Sequence, residues 1–215
     1  MKSALDLLKE IKGVIFDLDG VLVDTAVFHF QAWKRLAQEL GFDFTEIENE
    51  QLKGVSRIAS LEKILNWAGV DASESEKIEM AERKNRWYLD LVEQMKADEI
   101  LPGSLELLHW LKKNGYQVAL GSASKNAPLI LEKTGMISFF DVLVDGNSVS
   151  LSKPNPEVFL KAARDLKLLP EVCLVFEDAQ AGVDAARAAG MSVIGIGSNL
   201  NGTDLSISSL EEVLN

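Results

Sequence analysis

The stretch "VIFDLDGVLVDT", residues Val14 to Thr25, constrains this chain more than any other. An apolar run suited to a buried strand ends in Asp17 and Asp19, followed by Gly20 and then Asp24. Side chains alternate along a strand, so Asp17 and Asp19 point the same way. A buried carboxylate is costly unless it is paired, hydrogen-bonded or metal-bound, and two together also repel. A chain that places two aspartates there must bring compensating groups to them from elsewhere.

The remaining strand-like segments show where those groups come from. Residues 12–18, 116–121, 141–144, 172–176 and 192–196 read as short apolar strands, most of them separated by helical patterns. Leu105, Leu108 and Leu111 share one helix face, and Asn114-Gly115 ends that helix. Alternation of strand and helix predicts a parallel sheet covered by helices on both faces. Between Thr25 and Lys96 the rhythm breaks, and only helical spacing is visible: Phe30, Trp33, Ala37 and Leu40 before Gly41; Ile58, Leu61, Leu65 and Ala68 before Gly69; then Ile78, Ala81, Tyr88, Leu91 and Met95. The expected architecture is α/β, a doubly wound parallel sheet with an inserted helical cap domain. The core spans 1–24 and 98–215 and the cap 25–97, with linkers near Thr25 and Lys96. An insertion after the first strand overhangs the carboxyl ends of the strands, where open α/β sheets bind ligands.

Totals narrow the functional classes. The chain has 215 residues, 47% hydrophobic and 26% charged, enough for a real core and ordinary for a globular protein. The net charge of −11 and the lack of a basic stripe argue against nucleic acid as a partner. No apolar run has the length of a membrane helix. "MKSALDLLKE" is amphipathic and acidic, unlike a secretory signal or transit peptide, so a cytoplasmic protein without a membrane partner is expected. Its one cysteine, Cys173, forms no internal disulfide and reads as a small buried hydrophobe.

Polar residues then line up at the strand ends. Asp17 and Asp19 close the first strand, Ser122 follows "YQVALG", Lys153 follows "DVLVDGNSVSLS", and Glu177 and Asp178 close "CLVF". Magnesium favours a few carboxylates with water and phosphate oxygens. Lys153 suits a phosphate as a point charge, and Ser122 can hydrogen-bond a phosphoryl oxygen. This is a set for metal-assisted phosphoryl transfer: one aspartate as nucleophile, its neighbour as general acid and base, and positive charge to neutralise the phosphoryl group.

"FDLDGVLVDT", the strand-end serine, "SKP" and "FEDAQAGVDAA" together resemble the haloacid dehalogenase-like hydrolase superfamily over essentially the whole chain. "DTAVFHFQAWKRLAQELG", "EQLKGVSRIASLEKIL", "RKN" at 83–85, "GSASKNAP" and "SKPNP" are similar to its sugar-phosphate mutase branch. That resemblance implies Asp17 as the phosphorylated nucleophile and Asp19 as the acid/base. It implies a Mg2+ site from Asp17, Asp19, Glu177 and Asp178, and a phosphoryl grip from Ser122 and Lys153. Arg57 with Ser124, Lys125 and Asn126 would bind a second, distal phosphate. Thr25, His29, Trp33, Lys53, Gly54, Val55 and Ser60 would form the hinge and read the substrate, with His29 bonding near Asp19. The implied reaction converts β-D-glucose 1-phosphate to glucose 6-phosphate through an aspartyl-phosphate and a bisphosphate, on a monomer whose partner is a small sugar phosphate.

Plainer readings stand beside these. Lys53 and Arg57, four apart, could be a solvated helix face. "ESEKIEMAERKNR" reads as a solvated helix with i,i+4 pairs. His109 reads as a surface or half-buried residue, and Trp33, Trp67, Trp87 and Trp110 as mostly packing. Ala179 stands where the superfamily usually has serine, which puts one supporting hydrogen bond in doubt. The residues before Lys12 exceed what the fold needs. The nearest alternative activity is a Mg-dependent sugar-phosphate phosphatase. A non-catalytic sugar-phosphate sensor would have no need of both Asp17 and Asp19, and a dehalogenase would not need Asp19 and the metal carboxylates.

Overall fold

The computed structural model describes residues 3–53, 55–95 and 99–215. Its centre is a six-stranded, fully parallel sheet of β1 (Gly13–Phe16), β2 (Gln117–Gly121), β3 (Val142–Val144), β4 (Cys173–Glu177), β5 (Ser192–Ile196) and β6 (Leu205–Ile207), in the order β3-β2-β1-β4-β5-β6. The first strand is central, with Ile15 in register with Ala119 on one side and Val175 on the other. The five expected strands are present. The edge strand β6 was not expected, because three residues, "LSI", carry too little periodicity to stand out.

The period of two sorts the strand residues between two cores. Val14, Phe16, Val118, Leu120, Leu174 and Phe176 face one cluster, and Phe16 stacks on Phe176 with ring centroids 5.0 Å apart. Ile15, Ala119, Val175 and Val193 face the other. The first layer is covered by α1 (Ala4–Leu8), α6 (Ser104–Lys113) and α7 (Ala127–Lys133). The second is covered by α8 (Glu157–Asp165) and α9 (Gln180–Ala188). Both faces of the sheet are therefore buried, which is why its strands read as continuous apolar runs. Cys173 lies in the second core as expected, its thiol pushed up to about 11 mainly by burial. Ala4, Leu8 and Ile11, before Lys12, have a packing role. Leu8 is fully buried against α6 and the C-terminal turn, and its carbonyl accepts from the Tyr116 hydroxyl at 3.1 Å.

The cap consists of α2 (Ala26–Glu39), α3 (Glu46–Glu50), α4 (Arg57–Ala68) and α5 (Glu74–Val92). Trp33, Leu36, Phe44, Leu61, Ile64 and Ala81 make its own apolar cluster, each large, fully buried side chain contributing about 1.5–3 kcal/mol. Gly69 ends α4 in the left-handed region at φ 66°, as its sequence position suggested. Three expectations need correction. The short α3 was not anticipated. Ile58 and Ile78 are exposed and line a cavity shared with Lys153 and Val158 instead of packing in the cap cluster. Met95 lies beyond the end of α5. The return linker near Lys96 lies outside the described residues. Just after it, Ile100 bridges antiparallel to Val23, Asp24 N–H donates to the Glu99 carbonyl at 2.8 Å, and Leu101 N–H donates to the Leu22 carbonyl at 3.0 Å. The two crossings between sheet and cap thus run side by side.

Candidate active site

Between the cap and the carboxyl ends of the strands lies a cavity of about 490 Å3. Asp17, Asp19 and Asp178 form its floor, with Ser122 beside them. His29, Trp33 and Lys84 come from the cap above, Lys53, Val55, Arg57 and Ser60 from its second side, and Ser124, Lys125 and Asn126 from the loop after β2. Gly54 lies outside the described residues. Thr25 and Glu177 are fully buried just behind the lining, and Lys153 borders an adjoining cavity that shares Arg57, Ser122 and Lys125.

Backbone pairing places the floor. Asp17 N–H donates to the Phe176 carbonyl at 3.0 Å, and Ser122 N–H to the Val144 carbonyl at 3.0 Å, so each stands one step past its strand. The compensating charge that the sequence demanded is Lys153. Its Nζ bonds Asp17 Oδ1 at 2.6 Å and Glu177 Oε1 at 2.5 Å, with all three groups nearly removed from water. Burial opposes the ammonium's charge, but the two carboxylates outweigh it and raise its pKa above the ordinary value. Glu177 Oε2 also accepts from the Ala179 N–H at 2.9 Å. A backbone group therefore supports that carboxylate without the missing serine hydroxyl. Gly182 makes room for it, since a Cβ there would stand 1.8 Å from Glu177 Oε1. Gly20, at φ +81°, does the same for Asp178, whose Oδ2 would lie 2.1 Å from an added Cβ.

Asp19 is held differently. Its Oδ1 accepts from the Thr25 hydroxyl at the start of α2, so Thr25 spends its hydroxyl on that carboxylate and makes no side-chain bond to its own helix. Loss of hydration, and then the charge of Asp17, push Asp19 up to about 7. A carboxyl group with that pKa can both give and take a proton near neutrality.

The bond that His29 makes near Asp19 is to Lys84, whose charge acts on that aspartate. His29 Nδ1 pairs with Lys84 Nζ at 2.8 Å, and its ring stacks on Tyr88 at 4.1 Å. Burial, then the charges of Lys84 and Arg57, hold its pKa well below the ordinary imidazole value. Lys84 itself is buried, against the expectation of a solvated helix. Its Nζ lies 4.5 Å from the Trp33 ring centroid and 4.8 Å from that of Tyr88. Ala81, Lys84, Tyr88 and Val92 form the buried face of α5, and their spacing of three, four and four was the signal that could have revealed Lys84. Burial and the neighbouring Arg57 hold Lys84 well below its ordinary pKa. Trp33 lines the cavity and also packs in the cap cluster. Trp67, Trp87 and Trp110 pack as expected, on Phe42 and Phe44, under Arg35, and on Tyr116. His109 is on the surface, edge-on to Phe139.

Lys53 reaches from the cap to Asp178 Oδ2 at 3.8 Å and to Glu50 at 3.0 Å. Asp178 is raised well above the ordinary carboxylate value by burial, then by Glu177 and Asp17. Among the described residues no three His, Cys, Asp or Glu side chains form a ready-made metal cage. Magnesium does not need one, since it keeps several waters and takes one or two carboxylates with substrate phosphate. Hard oxygens whose mutual repulsion is unrelieved on the floor fit such an ion. Asp17 and Asp178 face the cavity to meet it, while Glu177 adds charge from behind.

This fold and floor define a class, and residues 11–190 match the haloacid dehalogenase-like hydrolase family. The chain belongs to that family. It is 43% identical to the β-phosphoglucomutase of Bacillus subtilis (strain 168), over 87% of this chain and 84% of that one. It is 32% identical to a phosphorylated carbohydrates phosphatase of Thermotoga maritima, over 89% and 88%. A crystal structure of β-phosphoglucomutase from Clostridium difficile superposes with a TM-score of 0.91 at 41% identity, covering 94% of this chain and 93% of that one.

Proposed function

We propose that the chain interconverts β-D-glucose 1-phosphate and glucose 6-phosphate through a phosphorylated Asp17 and β-glucose 1,6-bisphosphate. The observation that carries this is a second anion-binding wall facing the catalytic floor. Arg57 from the cap has no carboxylate within ion-pair distance among the described residues, and it stands over the cavity with Ser124, Lys125 and Asn126. Hydrolysis of a monoester needs one phosphate grip; a reaction that passes through a bisphosphate needs two. The identity to the B. subtilis and C. difficile mutases supports the same reading.

In the first half-reaction the phosphoryl group on Asp17 passes to the C6 hydroxyl of β-glucose 1-phosphate. Asp19 takes the hydroxyl proton as the oxygen–phosphorus bond forms and the Asp17 acyl-phosphate bond breaks. The bisphosphate turns end for end. Asp17 then attacks the C1 phosphate, and Asp19 returns the proton to the sugar oxygen as glucose 6-phosphate leaves. Throughout, the distal wall holds whichever phosphate is not reacting, so its binding energy aligns the other against Asp17 and Asp19. Ser122 and Lys153 hold the transferring group. A bound Mg2+, held by Asp17, the Asp19 backbone carbonyl and Asp178 with Glu177 behind, would neutralise charge on that group.

Residues 25–97 act in this reading as a cap hinged at the paired linkers, closing over the sugar and excluding water. The partner is a small sugar phosphate rather than nucleic acid or membrane, and the working form is a cytoplasmic monomer. Among the described residues no helix is long and apolar enough to cross a membrane. The test combines the protein with Mg2+, β-glucose 1-phosphate and a trace of glucose 1,6-bisphosphate, following glucose 6-phosphate and inorganic phosphate together. Glucose 6-phosphate far in excess of phosphate is expected, and chelation of Mg2+ should stop it. Phosphate release matching substrate loss would instead make the protein a phosphatase, as its T. maritima relative is named.

A further inference from the structure

Asn85 closes the "RKN" stretch, and the chemistry above gives it nothing to do. It lies half-buried on α5, and its Oδ1 accepts a hydrogen bond from Asn126 Nδ2 at 2.8 Å. This bond crosses from the cap to the loop after β2. Asn126 occupies the N-cap of α7, where an asparagine ordinarily turns its side chain onto a free N–H of the first turn. Here it makes no such bond. The loop fixes its own backbone through serines instead: Ser124 N–H donates to Ser122 Oγ at 3.1 Å, and Asn126 N–H to Ser124 Oγ at 3.3 Å. The Asn126 carboxamide is left to reach across the cleft.

A carboxamide has two N–H donors on one side and an acceptor oxygen on the other. Facing a phosphate, the first is attractive and the second repulsive. With one N–H committed to Asn85 Oδ1, the group keeps that orientation unless the Asn85 carboxamide turns with it. Without that acceptor, it can present oxygen to the anion. We propose that Asn85 is a positioning residue for the distal phosphate: it sets the orientation of the Asn126 carboxamide, and it does so only while α5 lies against the loop. The distal wall is then complete only in the closed arrangement, which ties recognition of a second phosphate to exclusion of water from Asp17. This rests on the distal-phosphate reading of the preceding section.

A double-mutant cycle on the full chain with Mg2+, β-glucose 1-phosphate and a trace of the bisphosphate tests it. Asn85→Ala should raise KM about tenfold, the size of one hydrogen bond to a charged group, with a smaller change in kcat. It should also raise the ratio of inorganic phosphate to glucose 6-phosphate. Asn126→Ala should do the same, and the double variant should match Asn126→Ala within about twofold, because the first residue acts through the second. Asn85→Leu, close in size but without the acceptor oxygen, should repeat the Asn85→Ala result. Effects that multiply in the double variant, or an Asn85→Ala enzyme with wild-type KM and product ratio, would overturn the proposal. If the wild type itself releases only phosphate, the mutase reading fails, but the coupling between the two asparagines can still be read on phosphate release.

Discussion

Two lysines are buried on the two sides of the site, Lys84 in the cap lining and Lys153 behind the floor, and their surroundings differ completely. Lys153, on the core side, is clamped between Asp17 and Glu177 and holds its proton more tightly than a free lysine. Lys84, on the cap side, has an imidazole nitrogen and two aromatic faces around it, with Arg57 close enough to disfavour its charge. On the floor one ammonium meets two carboxylates directly, and burial and carboxylate repulsion still raise the pKa of Asp19 and Asp178. The cap wall presents Arg57, which among the described residues has no carboxylate within ion-pair distance, beside a Lys53 paired with Glu50 and Asp178. Arg57 gains from an arriving anion, whereas the surplus carboxylates of the floor gain from a cation. The difference supports the proposed division, with phosphoryl chemistry at the sheet edge and anion capture at Arg57 of the cap.

The comparison can be broken most severely at Asp17. Asp17→Asn should lower turnover by about 10^4-fold or more, since an amide cannot form the acyl phosphate. The expected product of a steady-state assay is then indistinguishable from background. Lys153→Ala comes next. It strands two buried carboxylates, so unfolding by denaturant should show a loss of about 3–5 kcal/mol together with most of the activity. Lys84→Met sharpens the contrast: a similar shape without the desolvated amine should leave the denaturation midpoint unchanged or higher, while KM for the sugar phosphate rises. Equal destabilisation by the two substitutions would contradict the assignment.

Asp19 supplies a pH test. Its native pKa of about 7 exceeds the ordinary 3.8, so the folded protein keeps a proton that the unfolded chain has lost. That stabilisation is full below the lower value and disappears as pH rises through the upper one. In metal-free protein, Asp19→Asn should therefore flatten the decline of Tm over that interval. The smallest effect is expected at Ala179, the N-cap of α9, which makes no side-chain bond. Ala179→Ser should add one and stabilise by about 1 kcal/mol, read as a rise in Tm.

Much of this was legible in the chain. Asp17, Ser122 and Asp178 each follow an apolar run, and parallel strands of similar length bring their ends to one edge, with Lys153 delivered by the loop after β3. The cap helices were visible from apolar spacing and glycine stops. Less was legible where a polar residue breaks the rule of its surroundings. Lys84 lies in a run of charged residues that looked solvated, and only its helical phase against Tyr88 and Val92 put it inside. His29 was expected to bond near Asp19, but no local pattern named Lys84, 55 positions on, as its partner. Asn85 and Asn126 are 41 positions apart, and no local pattern links them.

By itself, then, the sequence determined what period and strand-end chemistry can carry: a doubly wound parallel sheet, a helical insertion over its carboxyl edge, and a phosphoryl-transfer floor. These follow from local order, because alternation and helical spacing select buried faces wherever the elements pack. Which carboxylate Lys153 holds, which residue receives the Thr25 hydroxyl, and that a cap asparagine meets a core asparagine were decided only by the tertiary structure. Those pairings join residues distant in the chain at distances of a few ångströms, and that precision comes from the packing of whole layers against one another.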